Sequence, residues 1–273
     1  MDGNQTSNEK VKMNLAHIIN VMEITEAQRS SYLHIAQPVT IQSMINARNK
    51  TDNCKVDLFG VKNKFDKVKL PSPFKFTNDL ERCCYDVIDS LPKKKSLPLI
   101  KDILSSLYHA SNAEYFIYTN SDIGVLPDFY NFISEKIKSG FDSICINRRD
   151  MPKHINGQEI DVSNFEILFS ELGKYHMGAD CFVFHRDAFK KMIFGNVFVG
   201  VPPVGGVFLD QIRKTSNNFH WVNRKGDKQS PPERLLTFHI GSDRNWLRNE
   251  NIYWTENNKQ AKKNNHPFEN HLK

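Results

Sequence analysis

The chain has 273 residues, of which 39% are hydrophobic and 25% are charged. These proportions are ordinary for a soluble globular protein with a sizeable core, and the length allows one large domain or two small ones. The net charge of +6 suits an anionic small ligand such as a phosphate ester, but the basic residues are too dispersed to predict a nucleic-acid binder.

The cysteine count and the polar start of the chain favour a reducing compartment. Five cysteines are present, an odd number, and no two are spaced as Cys-x-x-Cys. Residues 1–14 contain no apolar signal core, and the sequence has no run of 18 apolar residues. We therefore expect a cytoplasmic protein without a membrane-spanning segment.

Apolar runs alternate with amphipathic segments along the chain. Residues 1–13 are predicted to be a disordered tail, 14–250 a single domain, and the Asn- and Lys-rich residues 251–273 a loosely ordered tail. The predicted strands are 15–24, 55–61, 115–119, 141–149, the first part of 178–192, and 234–241. The predicted helices are 38–50, 96–111, 127–139, 161–173, the second part of 178–192, and the segment that follows the Gly/Pro-rich loop at 200–206.

Strands that alternate with helices predict an α/β fold, in which parallel βαβ units form one sheet with helices on both faces. In such sheets ligands bind beyond the carboxyl ends of the strands. No Gly-x-Gly-x-x-Gly follows the first predicted strand, and no Walker A pattern occurs in the sequence. A dinucleotide cofactor and P-loop chemistry are therefore disfavoured.

One predicted strand, 115–119, ends abruptly at the small polar cluster Asn120-Ser121-Asp122. Two interpretations are open. Asp122 could hold a divalent cation whose other ligands are phosphate oxygens of a substrate. Alternatively, Asn120 and Asp122 cap the turn that precedes the next helix, since these side chains bond readily to nearby backbone groups.

The last predicted strand carries His239 and also runs into a polar loop that contains a glycine. A lone histidine in an apolar strand is usually a core residue with satisfied hydrogen bonds. This one is followed by residue types that are common in ligand sites, namely Gly241, Asp243, Arg244 and Trp246. The two polar strand ends are thus the strongest candidates for a site.

These segments resemble the GT-A-fold glycosyltransferases, a nucleotide-diphospho-sugar transferase superfamily with a Rossmann-like, mostly parallel sheet. The residues YTNSD at 118–122 resemble the family's metal-binding DxD motif, with Asn120 in the first acidic position and Asp122 in the last. The residues FHIGSDRNW at 238–246 resemble the late HxxGxxKPW element of the glycogenin-like and galactosyltransferase-like branches. Gly241 and Trp246 match it, Arg244 stands where a lysine is usual, and His239 lies one residue closer to the glycine than the element's histidine does.

A third segment, YHMGADCFVFHRDAF at 175–189, resembles the acceptor side of the family. More narrowly, several blocks between residues 15 and 246 are similar to a group of uncharacterised bacterial and algal GT-A-like proteins. The resemblance implies a hexosyltransferase-type enzyme with a nucleoside diphosphate sugar as donor and a glycan or small molecule as acceptor. It implies no nucleic-acid partner.

The resemblance also implies roles for individual residues. Asp122 and His239 would ligate Mn²⁺, or Mg²⁺ as the second choice, because a mixed oxygen and nitrogen ligand set suits Mn²⁺ better. The residues predicted to contact the nucleotide sugar are Asn120, Ser121, Asp122, Lys95, Lys101, Arg148, Arg244 and Trp246. For Arg148, a surface ion pair with Asp150 is an equally open interpretation.

An inverting transferase needs a base to accept the acceptor's proton, and three aspartates are candidates. Asp180 is the first choice because Gly178 and Ala179 give it open surroundings at a strand start. Asp210 is the second and Asp243 the third. A retaining enzyme needs none of them.

Two other functions are compatible with the sequence. Asn120 replaces an acidic residue of the motif, which favours a catalytically inactive GT-A-like module that binds a glycan or a protein. A sugar nucleotidyltransferase would share the sheet, but it should carry a Gly- and Arg-rich phosphate loop after the first strand. Residues 21–31 contain one arginine and no glycine.

Overall fold

A mixed sheet lies at the centre of the molecule. The computed structural model describes residues 12–26, 32–222, 235–241, 251–264 and 266. Its strands are β1 (Met13–Asn20), β2 (Cys54–Val61), β3 (Lys75–Phe76), β4 (Tyr115–Thr119), β5 (Gly124–Val125), β6 (Ser143–Met151), β7 (His154–Ile155), β8 (Gln158–Glu159), β9 (Lys174–His185), β10 (Phe219–Val222) and β11 (Thr237–Ile240). Its helices are α1 (Leu33–Lys50), α2 (Cys84–Val87), α3 (Ile100–Ala110), α4 (Phe129–Lys138), α5 (Val204–Thr215) and α6 (Asn251–Lys263), with 3₁₀ turns at Phe165–Ser170 and Arg186–Lys191.

The strand order is β3-β2-β1-β4-β9-β6-β11-β5, and β10 also pairs with β6. The β3-β2-β1-β4 block is parallel, and β6 is parallel to both β10 and β11. Strand β9 is antiparallel to both of its neighbours, β4 and β6. It therefore begins at the sheet edge where those neighbours end, and so brings its first residues to the edge at which α/β folds bind ligands.

The sheet is buried on both faces, as the continuous apolar run of β1 predicts. Ala16 and Ile18 pack with α3 and α5 on one face, whereas Leu15 and Ile19 pack with α1 and α4 on the other. All four side chains are 0% exposed. The predicted α/β fold with a mostly parallel sheet and helices on both faces is therefore confirmed.

Several sequence predictions differ from the structure. The first part of 178–192 belongs to the antiparallel strand β9, and its predicted helix is only a 3₁₀ turn at Arg186–Lys191. The predicted helix at 161–173 is likewise only a 3₁₀ turn at Phe165–Ser170. Strand β10 was not predicted, because four residues are too few to give a recognisable period. Residues 1–11 lie outside the described part of the chain, and β1 already begins at Met13.

The expectation of a loose tail after residue 250 is wrong for helix α6. Its buried side chains include Tyr253, Asn257, Gln260 and Ala261. Hydropathy does not reveal this face, since half of these residues are amides that are buried through hydrogen bonds rather than through apolar character. No helix within the described ranges is both long enough and apolar enough to cross a lipid bilayer.

The first turn of α5 contains two adjacent glycines in different surroundings. A Cβ at Gly205 would lie 2.7 Å from the carbonyl oxygen of Ala179 in β9, which is backbone and cannot rotate away. At Gly206 a Cβ would meet no atom of the described residues within 4 Å. The close approach of α5 to β9 thus depends on Gly205 alone.

We expect opposite effects from the two alanine substitutions. Gly206→Ala should raise the free energy of unfolding by roughly 0.5–1 kcal/mol, because alanine loses less backbone entropy in a helix. Gly205→Ala should lower it by about 1–3 kcal/mol, since the helix must move away from β9. Urea unfolding of both variants measures this difference, and equal shifts in one direction would contradict the close packing of α5.

Candidate active site

The two polar strand ends meet at one place. Nε2 of His239 lies 3.3 Å from Oδ2 of Asp122. The contact follows from the short strand β5, which starts two residues after Asp122 and pairs with β11 at Phe238. Gly124 is required there, because a Cβ at this position would overlap the ring of Phe238. The local pairing of β5 with β11 therefore brings the carboxylate to the imidazole.

A proton or a metal cation is required between the imidazole of His239 and the carboxylate of Asp122. Its Nδ1 lies 2.8 Å from the carbonyl oxygen of Gly241, which can only accept a hydrogen bond, so Nδ1 carries a proton. Gly241 has a φ of +83°, a conformation natural to glycine. The other nitrogen, Nε2, then faces a carboxylate oxygen, and this contact is favourable only if Nε2 is protonated or a cation lies between the two groups.

Charge coupling shifts the pKa values of both partners. Burial disfavours the charged form of His239, but the hydrogen bond and the charge of Asp122 outweigh it and raise the pKa. Burial likewise opposes ionisation of Asp122, but the hydrogen bond and charge of His239 and the charge of Arg148 outweigh it and lower the pKa. Without a metal the two groups therefore form an ion pair.

A second buried histidine shows the contrasting case. His17 in β1 bonds through its two ring nitrogens to the hydroxyls of Tyr130 and Thr119, each at 2.9 Å. Its partners are neutral, and burial lowers its pKa to about 3. His17 is a core histidine with satisfied hydrogen bonds, whereas His239 is held as a charged partner of Asp122.

The arrangement fits a divalent cation on three counts. Oδ1 of Asp122 is buried and has no hydrogen-bond partner within the described residues. Two ligands at right angles around an ion, each about 2.1 Å away, lie about 3 Å apart, close to the separation of His239 and Asp122. A metal-bound histidine usually donates its other ring N–H to a carbonyl or carboxylate, as His239 does to Gly241.

Asp122 and His239 would be the protein's own ligands. The described ranges contain no group of three or more His, Cys, Asp or Glu residues that could hold a metal. A cation held here would take its remaining ligands from water or from substrate oxygens, as Mg²⁺ often does with phosphates.

Arg148 connects this pair to a second cluster of charged groups. Its Nε lies 3.0 Å from Oδ1 of Asp150, its Nη1 lies 2.9 Å from Oδ2 of Asp180, and its Nη2 lies 3.4 Å from Nε2 of His176. Burial disfavours its charge, but the carboxylates of Asp180, Asp122 and Asp150 outweigh that effect and raise its pKa. The guanidinium predicted to contact the nucleotide sugar is thus bound on three sides by the protein.

Gly178 separates the side chains of His176 and Asp180 on one face of β9. A Cβ at Gly178 would lie 2.7 Å from both Oδ2 of Asp180 and Nδ1 of His176. Because alternate residues of a strand share a face, these three positions point the same way. Glycine at this position therefore lets the side chains of His176 and Asp180, the latter 14% exposed, lie close against the backbone of β9.

The other residues that were predicted to contact the nucleotide have different surroundings. The amide oxygen of Asn120 accepts a hydrogen bond from Tyr118 at 2.9 Å, and Ser121 is buried. The backbone N–H of Lys95 donates to the hydroxyl of Tyr253, and Lys101 is exposed in the first turn of α3.

Asp210, the second candidate base, has a different environment. It lies inside α5 and accepts hydrogen bonds from Lys214 and from Nδ1 of His266, both at 2.7 Å. Burial opposes its charge, and these two partners lower its pKa. Asp210 therefore fastens the C-terminal segment to α5. Asp243, Arg244 and Trp246 lie outside the described residues.

His176 and Asp150 were not predicted as site residues, although both contact Arg148. Asp150 could have been found from its place after two arginines at the end of a predicted strand. His176 gives no such signal, since its position depends on β9 running antiparallel. A shallow cleft beyond the end of β2, bordered by Asn63, Phe65 and Tyr85 among others, was also missed.

Neither a family model nor a curated protein sequence matches the chain. The fold is similar to the crystal structure of S. aureus TarS 1–349 in complex with UDP-GlcNAc, with 12% identity and a TM-score of 0.48. That similarity covers 85% of this chain and 59% of TarS 1–349, so the chain spans little more than half of that protein.

A second similar structure is M. tuberculosis glucosyl-3-phosphoglycerate synthase in complex with Mn²⁺, UDP and phosphoglyceric acid. The identity is 8%, the TM-score is 0.39, and the similarity covers 77% of this chain and 68% of that one. At these identities and TM-scores, neither likeness identifies a substrate or an activity for the chain.

The ion pair predicts a pH-dependent stability for the metal-free protein. A raised histidine pKa contributes stability that is complete below the ordinary value of 6.5 and is lost as pH rises through the folded-state pKa. The lowered pKa of Asp122 contributes stability that is complete above its ordinary value of 3.8 and is lost as pH falls through the folded-state value. His239→Gln should therefore cost the most, roughly 1–2 kcal/mol, between about pH 4 and pH 6.5.

Urea unfolding in EDTA at about pH 5 and about pH 9 measures this dependence, with the exposed His154→Gln as control. The cost of His239→Gln should shrink at the higher pH, where the wild-type imidazole is neutral. An equal cost at both pH values would contradict the ion pair.

Proposed function

We propose that the chain is a GT-A-type glycosyltransferase that moves a sugar from a nucleoside diphosphate sugar to an acceptor hydroxyl, with Mn²⁺ or Mg²⁺ as cofactor. The observation that carries the proposal is the 3.3 Å approach of Asp122 and His239 at the ligand-binding edge of the sheet. Asp122 belongs to the DxD-like segment and His239 to the HxxGxxKPW-like segment, which supports the proposal. The motifs lie far apart in sequence, so their meeting is independent support for the resemblance.

Asp122 and His239 are the residues that would hold the cation. When bound, a divalent cation neutralises the charge that develops on a leaving diphosphate. The ligand set of one carboxylate and one imidazole favours Mn²⁺ over Mg²⁺, which prefers oxygen ligands throughout. Asp122 also orients His239, and Gly241 fixes the imidazole through Nδ1.

Asp180 is the base in this proposal if the reaction inverts the anomeric centre. The acceptor oxygen forms a bond to the anomeric carbon, the bond from that carbon to the diphosphate oxygen breaks, and the acceptor proton passes to Asp180. Arg148 orients the carboxylate through the 2.9 Å contact with Nη1.

The cleft beyond β2 is the proposed place for the nucleoside. Phe65 is 72% exposed beside it, and an exposed aromatic ring offers a flat surface on which a base can stack. This end of β2 lies at the same sheet edge as Asp122, because β1 links β2 and β4 in parallel register.

A catalytically inactive binding module is the second candidate. Asn120 favours it, because the motif's first acidic residue is absent and the amide oxygen is already bonded to Tyr118. Such a module would still bind a nucleotide or a glycan but would transfer no sugar. A sugar nucleotidyltransferase has less support, since the segment after β1 lacks the phosphate-loop glycines.

A thermal-shift screen of nucleoside diphosphates and their sugars, with and without Mn²⁺, tests the proposed function. We expect one nucleotide to raise the melting temperature only when Mn²⁺ is present, since binding at 100 times the Kd stabilises by about 2.7 kcal/mol. Asp122→Asn and His239→Gln should abolish this metal-dependent shift. The control Asp187→Asn, an exposed aspartate paired with Lys190, should retain it.

Hydrolysis of the stabilising donor then separates transferase from binding module. Asp180→Asn should keep the Mn²⁺-dependent shift but lose turnover by about 100-fold or more, the usual contribution of a general base. If no nucleotide stabilises the wild type with Mn²⁺, the transferase proposal is wrong. Stabilisation without any turnover would identify the inactive module.

A further inference from the structure

Helix α6 holds a distant loop through one buried amide. Asn257 is 0% exposed. Its Oδ1 accepts the backbone N–H of Phe198 at 3.0 Å, and its Nδ2 donates to the carbonyls of Phe198 at 2.9 Å and Val201 at 3.1 Å. The side chain thus pairs with both backbone groups of Phe198, as a neighbouring strand would.

The opposite side of this loop is held by the segment before α3. The N–H of Val199 donates to the carbonyl of Pro98 at 2.9 Å, and the N–H of Ile100 donates to the carbonyl of Val197 at 3.1 Å. The loop therefore forms an isolated antiparallel β-bridge with the segment before α3 on one side and is bonded to Asn257 on the other. Without Asn257, the three carbonyls of Phe198, Val201 and Pro202 and the N–H of Phe198 would lose this hydrogen-bond partner.

The loop leads directly into the first turn of α5, which lies against the site. Gly205 approaches the carbonyl of Ala179 so closely that no Cβ fits between them. One turn later, Phe208 stacks on Phe182 of β9 with ring centroids 4.2 Å apart. Because Ala179 precedes Asp180, the start of α5 is in contact with the backbone that carries this carboxylate.

We propose that Asn257 is a positioning residue, which fixes the loop 198–203 and through it the first turn of α5 against Ala179 and Asp180. Helix α6 then stabilises the site by holding this loop, although it contributes no side chain to the charged cluster around Arg148. The effect on turnover rests on the proposed function, whereas the effect on the loop does not. An experiment can therefore reject the effect on turnover without rejecting the effect on the loop, and the reverse.

A second anchor on the same helix allows the effects to be separated. The hydroxyl of Tyr253 donates to the carbonyl of Pro92 at 2.7 Å and accepts the N–H of Lys95 at 3.2 Å. The two hydrogen bonds of this hydroxyl hold residues 92–95 rather than the loop 198–203. Tyr253→Phe should therefore loosen a different segment while it leaves the Asn257 contacts in place.

Hydrogen exchange on the full chain tests the proposal, with Asn257→Ala compared with Asn258→Ala. Asn258 is the matched control, since it is a half-buried neighbour on the same helix whose amide bonds only to the carbonyl of Trp254 within the described residues. In Asn257→Ala, exchange at Phe198 and Val207 should be at least about tenfold faster than in the control, the change expected when buried backbone groups lose their partner. Exchange within β1 and β4 should stay the same.

Kinetics provide the readout that a purely structural role would not change. With the donor that the nucleotide screen identifies, Asn257→Ala should lower kcat by about tenfold or more while the donor KM changes by less than about twofold. Tyr253→Phe should not produce this pattern. Equal acceleration of exchange across the whole sheet, or a fall in kcat that only tracks the unfolded fraction, would overturn the positioning role.

The wild-type protein supplies a test if Asn257→Ala does not fold. The amide of Phe198 donates to Asn257, so it should exchange at the same rate as the interior amides of α6, because the two open as one unit. Exchange at Phe198 that is clearly faster than in α6 would contradict the claim that α6 holds this loop. If exchange behaves as expected but no donor is turned over, the proposed function is wrong and the loop assignment stands.

Discussion

The candidate site depends on one electrostatic constraint, the need for a positive charge between Asp122 and His239. The carbonyl of Gly241 fixes a proton on Nδ1, so Nε2 faces the carboxylate 3.3 Å away and requires either a proton or a cation. Two glycines make this geometry possible. Gly124 lets β5 pair with β11 below the ring of Phe238, and Gly241 turns its carbonyl back toward the imidazole.

A divalent cation at this site would neutralise the net charge of the surrounding side chains. Asp122, Asp150 and Asp180 are offset by Arg148 and by His239 when it is protonated, which leaves one net negative charge among these five groups. Exchange of the proton for a divalent cation makes the sum zero. Buried or half-buried charges are stable only when they are paired in this way. Arg148 therefore serves the site as an internal counterion rather than as a free phosphate contact.

Much of the fold could be predicted from local sequence. The apolar run of β1, the helical spacing in α3 and the polar strand end at Asp122 each depend on neighbouring residues, so periodicity and turn chemistry reveal them. The approach of His239 to Asp122 could be predicted only through the resemblance of two motifs. Nothing local in either segment specifies that β5 and β11 pair.

Other features depend on contacts that sequence patterns do not encode. The antiparallel direction of β9 decides that Asp180 and His176 reach the ligand edge, and strand direction leaves no mark on the alternation of apolar residues. Helix α6 is buried through amides such as Asn257, so its polar composition resembles that of a disordered tail. The sequence offered Asp210 as the second candidate base, but in the structure its carboxylate accepts hydrogen bonds from His266 and Lys214.

Diffraction from crystals soaked with Mn²⁺ and a nucleoside diphosphate, with the metal located by its anomalous scattering, would test this picture most directly. We expect one Mn²⁺ within about 2.5 Å of both Nε2 of His239 and a carboxylate oxygen of Asp122, with Nδ1 still bonded to Gly241. A metal bound elsewhere, with the His239–Asp122 hydrogen bond unchanged, would contradict the assignment of these two residues as its ligands.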